Sequence, residues 1–363
     1  FYYAPPTGFL ALCTSNLPAV AVTPSENFNA LLYTSTGSIL NVTNVGFQPD
    51  FTWLKRRGTG SHRIFDSVRG AAKALYTNET AREWAESGLT SFNSDGFTLG
   101  TDSGVNSASS TANISWNWKA NGSGSSNSNG SITSTVSANT DAGFSIVSYT
   151  GISGVKTIGH GLSSAPEMII VKNRTSADTN WIALHTLNSG SQGYLNATTA
   201  FSTGGGGNIP YFFGDASSYT APSSTLFTVG NNAQVNATST NYIAYCFHSV
   251  DGYSKVGSYT GNGNADGTFI YTGFRPAFVI CKMVTDAGEG WIMRDNARNP
   301  FNVVANHLNA NQSYADSTAS SVYADFLSNG FKQRANDSIN NGSGKTYIYI
   351  AFAETPFKYS NAR

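Results

Sequence analysis

One phrase occurs three times in this chain: Gly46-Phe47-Gln48-Pro49-Asp50-Phe51-Thr52-Trp53-Leu54-Lys55, Ser164-Ala165-Pro166-Glu167-Met168-Ile169-Ile170-Val171-Lys172, and Gly273-Phe274-Arg275-Pro276-Ala277-Phe278-Val279-Ile280-Cys281-Lys282. Each copy is a Pro, five mostly apolar residues, then Lys at the sixth place. Pro cannot donate to a sheet ladder and belongs at a strand start. The run behind it is apolar at nearly every position, which predicts a strand covered on both faces. Lys is expected to return the chain to water.

Other features recur in the same order. Some ten residues past each Lys come His62-Arg63-Ile64-Phe65-Asp66, Trp181-Ile182-Ala183-Leu184-His185 and Trp291-Ile292-Met293-Arg294-Asp295, with Arg69 and Arg298 three places on in the first and third. Then follow Phe97-Thr98-Leu99-Gly100, Phe227-Thr228-Val229-Gly230 and Phe331-Lys332-Gln333-Arg334. Nine residues beyond each Phe stands an Asn: Asn106, Asn236 and Asn340. Each copy closes on an aromatic strand: Ile114-Ser115-Trp116-Asn117-Trp118, Ile243-Ala244-Tyr245-Cys246-Phe247 and Ile348-Tyr349-Ile350-Ala351-Phe352. Such ordered recurrence is an internal repeat.

The repeat divides the 363 residues into an all-β chain of three tandem homologous sandwich-like domains. The expected boundaries are 28–120 for repeat 1, 142–250 for repeat 2 and 251–363 for repeat 3. Residues 1–27 read as the end of a preceding domain with a Pro-marked connector, and the start at Phe1 without Met reads as a fragment or a processed chain. Residues 121–141, opening on Asn121-Gly122-Ser123-Gly124-Ser125-Ser126, read as a flexible Gly/Ser/Asn linker. Repeat 1 is therefore expected to be hinged, with repeats 2 and 3 packed as a pair.

Charged residues make up 12% and aromatics 13%, the balance of an extracellular β-protein with enough apolar material for a core. The formal net charge of zero gives no field to attract nucleic acid or an anionic membrane. No apolar run reaches transmembrane length. Phe9-Leu10-Ala11-Leu12-Cys13 has no basic flank, and Leu12 is too large for a lipobox. The three cysteines, Cys13, Cys246 and Cys281, stand in separate contexts, so neither a disulfide framework nor a metal pair is expected.

Catalytic motifs fail on inspection. Asn262-Gly263-Asn264-Ala265-Asp266-Gly267 opens like a calcium loop, but its twelfth place is Gly273. Gly344-Lys345-Thr346 lacks the earlier glycine of a phosphate loop. The five histidines show no ligand spacing. Among candidate carboxylates (Asp66, Asp95, Asp295, Asp325), Asp66 and Asp295 are equivalent, which favours structural pairs with Arg69 and Arg298. The expectation is no catalytic residue, no metal and no cofactor.

Differences between copies concentrate in inserts, and function tends to sit in such loops on a rigid frame. The polar insert Arg69–Ser87, with possible helical content, carries Trp84. That of repeat 2 carries Tyr211, Phe212, Phe213 and Tyr219; that of repeat 3, Tyr314 and Tyr323. Aromatic faces among Asn, Asp and Ser suit sugars. These seven are the candidate glycan contacts, with an anchoring role for each ring as the alternative.

The phrases Gly46–Arg56, Ser91-Phe92-Asn93-Ser94-Asp95-Gly96-Phe97-Thr98, Ser258-Tyr259-Thr260-Gly261-Asn262-Gly263 and Phe326-Leu327-Ser328-Asn329-Gly330-Phe331-Lys332 resemble repeated β-domains in tail-fibre-like proteins of tailed, marine-type bacteriophages. The opening Phe1–Cys13 is similar to the end of a SPRY-like domain. The resemblance implies a virion-surface, extracellular fibre segment, homotrimeric and joined to other tail proteins, that attaches to a bacterial surface glycan or receptor. The charge balance and the lack of a long apolar run lead to the expectation of no membrane insertion and no nucleic-acid partner. The rival readings are a structural or decoration appendage without a receptor, and a polysaccharide depolymerase.

Overall fold

A computed structural model describes residues 22–187, 190–202, 212–215 and 218–354. The chain is all-β: among these residues the only helical pieces are two three-residue 3-10 turns, Pro24–Glu26 and Ser320–Val322. Each repeat builds an inner antiparallel sheet in one order. Its first strand pairs with its last, the last with the Pro-led strand, and that one with the next. In repeat 1 the order is Phe28–Thr34, Ala112–Trp118, Phe51–Arg56, Arg63–Asp66. Phe144–Thr150, Asn241–Phe247, Met168–Asn173, Trp181–His185 and Ser254–Thr260, Thr346–Ala353, Pro276–Met283, Ile292–Asp295 are its counterparts. Register agrees as well, since Phe51 faces Trp118, Met168 faces Phe247 and Phe278 faces Phe352.

A smaller outer sheet covers one face of each inner sheet. Leu40–Val42, Gly96–Leu99 and Leu89–Asn93 form it in repeat 1, and Phe269–Tyr271, Gly330–Gln333 and Ala324–Leu327 in repeat 3. Repeat 2 has two such strands, Lys156–Gly159 and Leu226–Val229. Gly96 and Gly330 sit where these strands cross closely. A Cβ there would lie 2.0 Å from the Val42 carbonyl oxygen and 2.1 Å from that of Ile270. Each repeat thus encloses its own apolar core, around Phe97, Phe227 and Phe331.

The stretch expected to be a flexible linker is sheet. Ser125–Asn127 and Ser134–Asn139 extend the inner sheet of repeat 2, with Ser134 opposite Tyr149. Ile132, Ser134 and Val136 are buried at alternate positions, a period-2 signal that the surrounding Gly, Ser and Asn mask. The recurrent Asn also needs correction in repeat 3. The Oδ1 atoms of Asn106 and Asn236 accept from the backbone N–H of Thr36 and Ile152. The counterpart in repeat 3 is Asn341, which accepts from Asn262 N–H and donates to the Ala335 carbonyl as Asn106 does to Gly100. One extra residue in that loop shifts the spacing, and Asn340 instead donates to Gln333.

The second face of all three inner sheets meets in one shared core. It contains Phe28, Phe51, Trp53, Trp116 and Trp118 of repeat 1; Phe144, Met168, Trp181, Tyr245 and Phe247 of repeat 2; and Phe278, Trp291, Ile350 and Phe352 of repeat 3. No hinge separates repeat 1 from the others. A central void of about 30 Å³, lined only by apolar faces and aromatic rings, is left among them. Without polar partners it offers no seat for an ordered water.

The repeated Lys does not leave for water. Positions 51, 53 and 55 share one face of their strand, so Lys55 follows Phe51 and Trp53 inward. Lys55, Lys172 and Lys282 are all buried. Each ammonium donates to backbone carbonyls: Lys55 to Arg56 and Gly58, Lys172 to Thr80 and Thr179, Lys282 to Met283. Burial pushes their pKa values down, to about 8, about 7 and about 8 respectively. Burial likewise lowers His185 and His307 to about 4 and raises Tyr76, Tyr219, Tyr347 and Tyr349 to about 12.

The sign of each contribution follows from which state binds more protons. Between pH 4 and 6.5 the unfolded chain protonates histidines that the folded chain keeps neutral, so stability rises with pH. Between about 7 and 10.5 the same holds for the lysines. Above 10 the unfolded chain sheds tyrosine protons that the folded chain retains, and stability falls. Thermal unfolding should therefore show its highest Tm on the alkaline side, near pH 9–10, and Lys172→Met should flatten the rise from pH 7. A Tm maximum at or below pH 7 contradicts this account.

Candidate functional site

The inserts, expected to be free binding loops, clasp the neighbouring repeat. In repeat 1 the Glu83 N–H donates to the Arg174 carbonyl, and the Thr80 carbonyl accepts from Thr179. In repeat 2 Phe201 donates to Val284, and Thr198 accepts from Gly288. In repeat 3 Asp316 donates to Arg57, and Ser313 accepts from Gly60. Repeat 1 therefore holds repeat 2, repeat 2 holds repeat 3 and repeat 3 holds repeat 1, which closes a ring.

Side chains follow the same cycle. Trp181 Nε1 donates to the Tyr76 carbonyl at 2.8 Å, and Trp291 Nε1 to the Tyr194 carbonyl at 3.0 Å. His62 takes the matching place in repeat 1, its buried ring against the backbone of Asn309 and Gln312. Trp53 Nε1 donates to His62 Nδ1 at 2.9 Å, so the neutral ring carries its proton on Nε2. Asn78, Asn196 and Asn311 each accept the backbone N–H of His62, Trp181 and Trp291. This recurring Asn escaped the sequence reading, although Thr77-Asn78, Leu195-Asn196 and Ala310-Asn311 were there to align.

Two clasps are charged and one is apolar. Glu83 takes Arg174 through two bonds of 2.8 and 3.0 Å and Arg69 through a third of 3.1 Å. Burial works against the Glu83 carboxylate, yet the Arg174 and Arg69 guanidinium groups outweigh it and hold its pKa below the usual range. Asp316 likewise takes Arg57 at 2.8 Å and Arg298 at 3.0 Å. Phe201 and Val284 hold these places in the third clasp, where Phe201 also packs against Trp291.

The candidate carboxylates have structural partners. Asp66 and Asp295 pair with Arg69 and Arg298, all fully buried. Asp95 accepts the N–H groups of Asn44 and Gly46, and Asp325 lies 3.5 Å from Arg334. Among the described residues no group of three His, Cys, Asp or Glu is placed to hold a metal ion, and no helix is long and apolar enough to cross a membrane.

The candidate aromatics divide sharply. Phe212 and Phe213 are core residues: both are buried, and their N–H groups donate to the buried Gln192 side chain. They pack into the repeat 2 core, whose outer sheet has one strand fewer than its counterparts. Neither can meet a glycan in the folded chain. Tyr219 is half-buried against the same core, and Tyr323 is partly buried behind the Ser320–Val322 turn. Tyr211 lies outside the described residues. Tyr314 and Trp84 remain exposed, at 66% and 48%.

Trp84 lines a defined groove. The 69–87 insert forms no helix. It contains a two-residue ladder in which Ala74 faces Trp84 and Lys73 faces Ala85. The ladder stands beside the first clasp, and the groove runs between the two repeats over Asn78, Glu79, Thr80, Ala81, Arg82 and Trp84 on one side and Ala177, Asp178 and Asn196 on the other. Its volume, about 530 Å³, falls in the ~300–1,000 Å³ range of ligand clefts. Asn78 and Asn196 each accept a backbone N–H of their own repeat, from His62 and Trp181.

Fold and groove together define a closed ring of three β-repeats with an aromatic cleft at one junction. The family model described as "Domain of unknown function (DUF7483)" matches residues 23–356, spanning all three repeats, and the chain belongs to that family. Neither a curated protein nor a solved structure matches it.

Proposed function

We propose that this chain is a non-catalytic adhesion segment of a bacteriophage tail fibre, displayed on the virion surface, which binds a bacterial surface glycan in the groove beside Trp84. The observation that carries this reading is a large indole face left half-exposed on a short ladder, lining a groove between two repeats. An indole face at the wall of a cleft supplies the apolar area with a polar handle that sugars use. The commitment of Asp66, Asp95, Asp295 and Asp325 to structural partners weighs against a depolymerase. Closure of the inserts into clasps favours the second reading, a structural appendage. A trimeric fibre carrying three such grooves would gain from avidity.

Trp84→Ala should weaken binding to arrayed bacterial surface glycans about tenfold, the loss of roughly 1.4 kcal/mol of ring contact. Its Tm should stay that of the parent, because the ring is outside the cores. Failure of the parent protein to bind any arrayed glycan or any bacterial cell would establish the appendage instead.

A further inference from the structure

The charges around the groove are unevenly satisfied. Glu79 accepts a hydrogen bond from Ser61 Oγ. Asp178 faces the buried Lys172 ammonium, whose charge it supports. Arg82 is different. Its guanidinium lies over the Trp84 ring, 5.3 Å from the centroid, and no ion pair engages it among the described residues. Arg57, Arg63, Arg69, Arg174, Arg275, Arg298 and Arg334 have carboxylate partners, and Arg56 and Arg294 donate to backbone carbonyls; Arg82, at the groove wall, has neither among the described residues. A guanidinium stacked on an aromatic face keeps its in-plane N–H donors free for a planar anion.

We infer that the groove selects an anionic sugar, its carboxylate or other acidic group on Arg82 and its ring against the open side of Trp84. The inference rests on the glycan-binding reading above and adds the ligand's charge. The placement is self-consistent: the acid meets the one cation among the residues that line the groove, while Glu79 and Asp178 are left to accept sugar hydroxyls.

The full chain should be titrated against matched oligosaccharides, one neutral and one carrying uronic acids on the same backbone. The expected result is a preference of about tenfold for the acidic member, shrinking as ionic strength rises. Arg82→Gln should bring the acidic-to-neutral ratio to about one, and Arg82→Lys should restore part of it. Trp84→Ala should weaken both members together. Equal binding of the two by the parent, or a ratio untouched by Arg82→Gln, overturns the anionic preference and leaves the groove standing as a glycan site. Absence of binding to either member and to a wider glycan array overturns both readings.

Discussion

Asp66→Ala should lower the unfolding free energy by about 3–5 kcal/mol, the usual cost of removing one member of a buried ion pair. Asp66 and Arg69 are fully buried, and the carboxylate accepts from the Arg69 backbone N–H at 2.8 Å as well as from its guanidinium. It also accepts the hydroxyl of Tyr245 at 2.7 Å, across the boundary with repeat 2. Alanine leaves the Arg69 charge with Glu83 as its one remaining carboxylate and the Tyr245 hydroxyl without its acceptor. Asp66→Asn, which keeps an acceptor, should cost less. Asp295→Ala should behave like Asp66→Ala, since Asp295 accepts from Trp116 Nε1 of repeat 1 at 3.2 Å. Denaturant titration gives these values directly; a change under about 1 kcal/mol for Asp66→Ala would show the pair to be dispensable.

Phe352→Ala should cost a similar 3–5 kcal/mol and destabilise all three repeats at once. The ring stacks on Phe28 at 5.1 Å and meets Trp118 at 5.4 Å, both from repeat 1. It also meets Phe247 of repeat 2 at 6.1 Å and Tyr253 of its own repeat at 5.8 Å. A cavity there removes contacts from each inner sheet together. Unfolding should remain a single transition, with amide protection falling in the central strands of every repeat. Two transitions, with repeats 1 and 2 keeping the parent midpoint, would mean that the repeats fold as separate domains.

Legibility in the sequence varied with range. Phe51–Arg56, Met168–Asn173 and Pro276–Met283 were readable as strands covered on both faces, because an unbroken apolar run has few other uses. Pairing of Asp66 with Arg69 and of Asp295 with Arg298 was readable because it lies within one turn of chain. The strands at 125–127 and 134–139 were hidden by Ser and Asn, whose turn preference an open sheet edge overrides. Phe212 and Phe213 were misjudged because polar neighbours in sequence say nothing of which core lies above them in space. Arg82 was missed for the same reason, since its want of a partner shows only once the other charges are placed.

By itself the chain's order of residues determined the three-fold recurrence, the β-character and the burial of the Pro-led strands on both faces, since periodicity and proline placement act over a few residues. Only the tertiary structure decided that the repeats close into a ring, that their lysines turn inward and that the inserts become clasps. Those outcomes depend on which apolar face finds which across more than a hundred residues of sequence, and local patterning carries no record of that choice.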